Sequence, residues 1–168
     1  MITIEITDAM IIKAREMEAE VLKNLKETPN YTGFSIPDRF YVGFMGELIF
    51  ESFLKDNNKK YTYTVKLDGN SQGGDFIISA HRELQAEVKA SAHPNARNIM
   101  IPEAQFNHRT FDLYIGIKIS NRFGYIYGYC FKNMFVLAKD GFNNNKTPTY
   151  YIGFDKLYSI DKLLQKLH

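Results

Sequence analysis

Tryptophan is absent, and cysteine occurs once, at Cys130. A single thiol cannot close a disulfide within the chain, nor build a cysteine-rich zinc site. No apolar run approaches the roughly 20 residues that span a bilayer, so no membrane-crossing helix is expected. The opening MITIEITDAM has no basic stretch followed by an apolar one, so a signal peptide is not expected and a cytoplasmic location is the default. Charge of one sign is also missing: 21 Lys+Arg stand against 19 Asp+Glu, a net of +2. That balance gives no global pull on nucleic acid, but it leaves room for a local basic cleft. No internal repeat or low-complexity linker divides the 168 residues, so a single domain over 1–168 is expected.

What is present is ample apolar and aromatic material. The chain is 45% hydrophobic, with 13 Phe and 11 Tyr, enough to bury a core. Thr7 is a helix N-cap by type, and Ile11, Ala14, Met17, Val21 and Leu25 then recur at helical spacing, up to a stop before Pro29. A second helix is expected from Pro37-Asp38 to about Lys55. Its apolar residues (Tyr41, Met45, Leu48, Ile49, Phe50, Phe53) surround most of the axis, as in a buried helix, and leave Glu47 and Glu51 on one narrow stripe. Gly43 and Gly46 would let a neighbour approach its first half.

Strand patterns follow at 60–67, 75–79, 84–89, 111–119 and 125–131. Residues 150–154 read as a short edge strand and 155–167 as a closing helix. Residues 90–110 read as polar and irregular, with a helical turn near 102–106. Helices and strands in this order predict an α/β domain with a mixed central β-sheet flanked by α-helices.

The segments 75–79 and 84–89 fit an antiparallel hairpin around 80–82. That register sets Ser79 against Glu83, Ile77 against Gln85, and Asp75 against Glu87. Alternation then puts Phe76, Ile78, Leu84, Ala86 and Val88 on one face, and Asp75, Glu87 and Lys89 on the other. A one-residue slip would mix the two sets, so the register is well specified. Two carboxylates on one sheet face repel unless a hard divalent cation lies between them. Mg²⁺ prefers oxygen and keeps several waters, so Asp75, Glu87 and the carbonyl of Val88 form a reasonable set. Lys89 points the same way and could orient water or stabilise a phosphate. The plain alternative is a solvent-facing strand with ordinary surface charges.

With Gly46-Glu47 on the preceding helix and Gln105 in the following polar segment, this pattern resembles the PD-(D/E)xK nuclease superfamily. The likeness covers about residues 40–120. It includes Asp75, Glu87-Val88-Lys89, Gly46-Glu47 and Ile101-Pro102-Glu103-Ala104-Gln105, the last similar to an element of archaeal Holliday-junction resolvases and several restriction and repair nucleases. Two features qualify the likeness: Gly74 rather than Pro precedes the Asp, and eleven residues separate Asp75 from Glu87, a spacing the superfamily tolerates. The resemblance implies a restriction-endonuclease-like fold and Mg²⁺-dependent hydrolysis of DNA phosphodiesters, with Mn²⁺ as substitute. It implies Asp75 and Glu87 as metal ligands, Lys89 as the catalytic lysine, Glu47 acting through water or a second metal, and Gln105 positioning Lys89, water or phosphate. It also implies a homodimer, since cutting two strands takes two sites. Rival readings are an idle DNA-binding or assembly subunit of the same fold, and a small-molecule enzyme or structural protein whose acids are surface decoration.

Residues 91–109 hold His93, Asn95, Arg97 and Arg109 with one acid, Glu103, and are expected to contact nucleic acid. The charge division agrees: residues 1–60 carry 8 Lys+Arg and 10 Asp+Glu, residues 61–168 carry 13 and 9. His81, His93 and His108 lack the helical pairing of a zinc site. The alternating Phe123, Tyr125, Tyr127, Tyr129 and Phe131 read as core or subunit interface rather than as a base-stacking surface. Glu47 and Glu51 have an alternative as a salt-bridged helix face. Asp112, which opens the strand after Gln105, reads as a structural cap or a remote acid behind the site, not as a catalytic residue.

Overall fold

A computed structural model describes residues 1–26, 39–64, 67, 74–108, 111–139 and 148–167. The chain begins with strand β1 (Ile2–Glu5), too short to stand out in the sequence pattern. Helix α1 (Asp8–Lys26) follows, and the Thr7 hydroxyl accepts the Met10 N–H at 3.2 Å, as its N-cap type predicts. Ala14, Met17 and Val21 form its buried stripe. Helix α2 (Arg39–Asp56) buries Phe44, Met45, Gly46, Leu48, Ile49, Phe50, Phe53 and Leu54. It is apolar nearly all round because it lies between α1 and the sheet.

The remaining elements are β2 (Tyr61–Tyr63), β3 (Phe76–Ser79), β4 (Glu83–Ser91), β5 (Asn98–Pro102), α3 (Glu103–His108), β6 (Leu113–Ser120), β7 (Phe123–Cys130), β8 (Val136–Ala138), β9 (Thr149–Gly153) and α4 (Ile160–Leu164). Six strands make a mixed, curled sheet in the order β1-β7-β6-β4-β3-β2. Only β4 and β6 run parallel among its neighbours; the other pairs are antiparallel. A parallel pair needs a crossover, and here β5 and α3 supply it. β5, β9 and β8 form a second, antiparallel sheet.

The expected mixed α/β architecture is present, with one difference in how it is covered. The helices pack on one face of the large sheet, over Phe76, Ile78, Ala86, Val88, Ile115, Ile117 and Ile126. The other face is covered by the small sheet and α3, through a second cluster including Tyr114, Ile99, Ile101, Phe106, Phe135, Ile152 and Phe154. The pattern predicts helices on both faces, because Ile99 and Ile101 alternate over too short a stretch to signal β5 within a polar segment. Residues 149–153 are the centre of the small sheet, not an edge. The closing helix is shorter than expected: a 3₁₀ turn at Phe154–Lys156 precedes α4. Pro37-Asp38, residues 65–66 and Asn143–Asn145 lie outside the described residues.

The aromatic alternation on β7 is interrupted. Gly116 pairs with Gly128 but Ile117 pairs with Ile126, so Tyr127 is an extra, bulged residue. Tyr127 packs on the small-sheet side, while the bulge returns Tyr129 to the helix side. At Gly128 (φ 154°) a Cβ would overlap the carbonyl of Tyr158. That closeness lets Tyr129 and Tyr158 exchange two backbone hydrogen bonds, at 3.0 and 2.8 Å.

Candidate functional site

The hairpin forms in the predicted register, with Ser79 opposite Glu83, Ile77 opposite Gln85 and Phe76 opposite Ala86. One step beyond the last pair stand Asp75 and Glu87, both buried, at 8% and 5% exposure. Burial, rather than a solvated strand face, is what the plain alternative did not expect. Asp75 Oδ2 accepts the Val88 N–H at 2.8 Å. Gly74 passes so close to β4 that a Cβ would sit 2.8 Å from the Ala86 carbonyl oxygen, which explains a glycine before the Asp.

Lys89 Nζ donates to Glu87 Oε1 at 2.7 Å. The other oxygen, Oε2, is buried with no hydrogen-bond partner among the described residues. Tyr114 lies opposite Glu87 on β6, and its phenol is pushed up to about 12 by burial first and then by the Glu87 charge. Buried acceptors are almost always satisfied, so a bare carboxylate oxygen calls for an ion or a water.

Glu47 lies on α2 and accepts the Tyr63 hydroxyl at 2.7 Å. The Tyr63 phenol is pushed far up, by burial first, then by Glu47, with Asp75 adding to it. Glu47, Tyr63 and Asp75 therefore share one electrostatic neighbourhood. Glu51 is a salt-bridged helix residue, 3.0 Å from Lys55 and 3.7 Å from Lys13, and it accepts the Tyr61 hydroxyl at 3.1 Å. Burial acts to raise its pKa, but these partners outweigh it and hold the carboxyl below its usual value.

Among the described residues, no three His, Cys, Asp or Glu side chains gather closely enough to hold a metal by themselves. A cation beside Glu87 would need backbone oxygen and water as well, which suits Mg²⁺. The bare Glu87 oxygen fits such an ion.

Lys89 also lines a cleft of about 650 Å³ with Ser91, His93, Asn95, Arg97 and Asn98 among its walls. The loop is fixed by its own bonds: Ser91 Oγ accepts the His93 N–H and His93 Nδ1 accepts the Asn95 N–H, both at 3.2 Å. Lys118 Nζ donates to the Pro94 carbonyl at 2.6 Å. His93, Asn95 and Arg97 are exposed. Arg109 lies outside the described residues. Gln105 sits half-buried on α3, against the small sheet, and the hydrogen bond of Lys89 goes to Glu87 instead. Asp112 is structural: it pairs with Arg82 at 2.7 Å and accepts the Gln85 N–H at 2.8 Å, tying the start of β6 to the hairpin.

Sequence reasoning missed Tyr63 and Lys118. Their strand positions were readable, but contacts to a helix and to a loop leave no local signal. No family model, curated protein or solved structure matches this chain.

Proposed function

We propose that this protein is a Mg²⁺-dependent DNA endonuclease of restriction-endonuclease-like fold. The observation that carries the reading is the buried Glu87 carboxylate. One of its oxygens is bound by Lys89 and the other is bare, where β4 enters a cleft lined by Lys89, His93 and Arg97 and by no acid among the described residues. Glu87, Asp75 and the Val88 carbonyl would hold the cation with waters, and Glu47 would act through water. Bound there, Mg²⁺ supplies Lewis-acid stabilisation and a more acidic water. Lys89 carries the positive charge that steadies the phosphate as it gains negative charge. Gln105 would position the water or a phosphate, while Glu87 holds Lys89. His93, Asn95, Arg97 and Arg109 would contact the DNA backbone. Cleavage of both strands by one site each implies a homodimer.

One observation favours a second reading, an idle DNA-binding subunit: Asp75 Oδ2 is already engaged by the Val88 N–H. Labelled duplex, branched and single-stranded DNA, incubated with Mg²⁺ or Mn²⁺, separates the two. An endonuclease cuts at least one substrate and Lys89→Ala abolishes the cutting. Binding without any cutting assigns the idle subunit, and identical behaviour of wild type and Lys89→Ala removes the nuclease reading.

A further inference from the structure

At the end of β7 three aromatic rings meet. Tyr129, Phe131 and Tyr158 have centroids 5.5 to 6.0 Å apart in every pairing. Tyr129 is buried and forms the floor, while Phe131 and Tyr158 remain 38% and 43% exposed. The rings are inclined to one another by 44° to 88°, so no two are stacked face to face. Their exposed faces open into a pocket of about 390 Å³ whose remaining walls are Lys162, Gln165 and Lys166.

The backbone holds this arrangement firmly. Tyr158 is bridged to Tyr129, which the bulge and Gly128 permit. Ser159 Oγ then accepts the Asp161 N–H at 3.4 Å and starts α4. Ile160, Leu163 and Leu167 turn into the core, which leaves Lys162, Gln165 and Lys166 exposed on the outer side. Lys162 on α4 and Lys166 just past its end both face the pocket. Among the described residues no carboxylate lines the pocket. Asp161, the nearest acid in sequence, accepts a hydrogen bond from Ser159 Oγ at 3.0 Å.

Exposed rings on a rigid support, flanked by two ammonium groups and an amide, match a nucleobase joined to a phosphate. The base stacks on a ring face, which every base can do. The phosphate meets the lysines. Gln165 can donate to or accept from the base edge. We propose that this pocket binds an unpaired nucleotide of single-stranded nucleic acid, apart from the cleft at Lys89. A duplex would not fit the same way, because its bases are already stacked on one another. A protein partner is the less favoured occupant, since two lysines with no carboxylate beside them among the described lining residues suit a polyanion better than an apolar contact.

The test is fluorescence anisotropy with labelled oligothymidylate and oligouridylate, with the matching duplex as comparison. Excess EDTA is present, so that cleavage plays no part. Wild-type protein is expected to bind single strands. Phe131→Ala and Tyr158→Ala should each weaken that binding by about tenfold. Lys162→Glu/Lys166→Glu should weaken it too and flatten its salt dependence. These lysines are exposed, so the double variant tests the pocket even if an aromatic variant misfolds, and circular dichroism reports folding for each. Competition by thymidine monophosphate as strong as that by the oligomer would assign a free nucleotide as the source of the ligand. Much weaker competition would assign a strand. Either keeps a base-and-phosphate site. The proposal is overturned if folded variants bind like wild type, if wild type binds no single strand, or if light scattering shows self-association through this face that Phe131→Ala abolishes. Loss of DNA cutting in a protein that still binds strands here would count against the endonuclease reading alone.

Discussion

Glu87 is held at one oxygen and bare at the other, and both facts have measurable consequences. Replacing Lys89 by Met leaves a buried carboxylate with no partner among the described residues at either oxygen, a loss of about 1–3 kcal/mol. Urea denaturation of Lys89→Met without divalent cation checks this. The double variant Lys89→Met/Glu87→Leu should regain most of the loss, because no charge is then stranded. Tyr114 gives a pH prediction at the same place. Its phenol titrates near 10 when unfolded but is pushed up to about 12 in the fold. The folded state therefore holds the proton that the unfolded state gives up. Its stabilising contribution is whole below about pH 10 and is lost as pH rises towards about 12. Tyr63 acts in the same direction. Unfolding free energies measured across this range should fall for the wild type by a few kcal/mol, and less steeply for Tyr114→Phe.

Between elements, the two glycines of α2 differ. Both were expected to admit a neighbour. At Gly46 an added Cβ would overlap Ala90 Cβ and lie 3.3 Å from Val88 Cγ1, whereas at Gly43 it meets nothing within 4 Å among the described residues. Gly43→Ala should therefore stabilise by up to about 1 kcal/mol through helix propensity. Gly46→Ala gains the same propensity but must push α2 off β4, so a net loss of roughly 1 kcal/mol is expected. Thermal melts of the two variants would settle the pair. The contrast also marks what the chain's pattern could disclose. Periodicity identified α2 as buried and the alternation of Phe76, Ile78, Ala86 and Val88 fixed the hairpin register. Neither states which neighbour lies against a given turn. The shared strand face of Glu87 and Lys89 was legible from alternation, but the ion pair between them shows only in the fold. The Glu47–Tyr63 bond joins a helix to a strand through packing, and the bulge at Tyr127 arises only from pairing with β6.

For the whole molecule, the Glu87 site predicts linkage between cation and fold. If Mg²⁺ or Mn²⁺ binds the folded chain alone, the melting temperature must rise with its concentration, by about 2.7 kcal/mol of added stability at a hundred times the dissociation constant. Glu87→Gln should remove the rise; an unchanged rise would place the ion elsewhere. The two sheets are interleaved along the chain, with β5 between β4 and β6, and β8 and β9 after β7. The small sheet was the least legible part, because its strands are short and its partners distant. One pairing reaches further still. Ile2 lies opposite Ile126, and Thr3 opposite Tyr125. During synthesis on the ribosome β1 emerges before the other described strands and cannot make its pairing until β7 has left the exit tunnel. The nascent chain must carry β1 unpaired until the intervening strands and β7 have followed it, and the large sheet can close only after that.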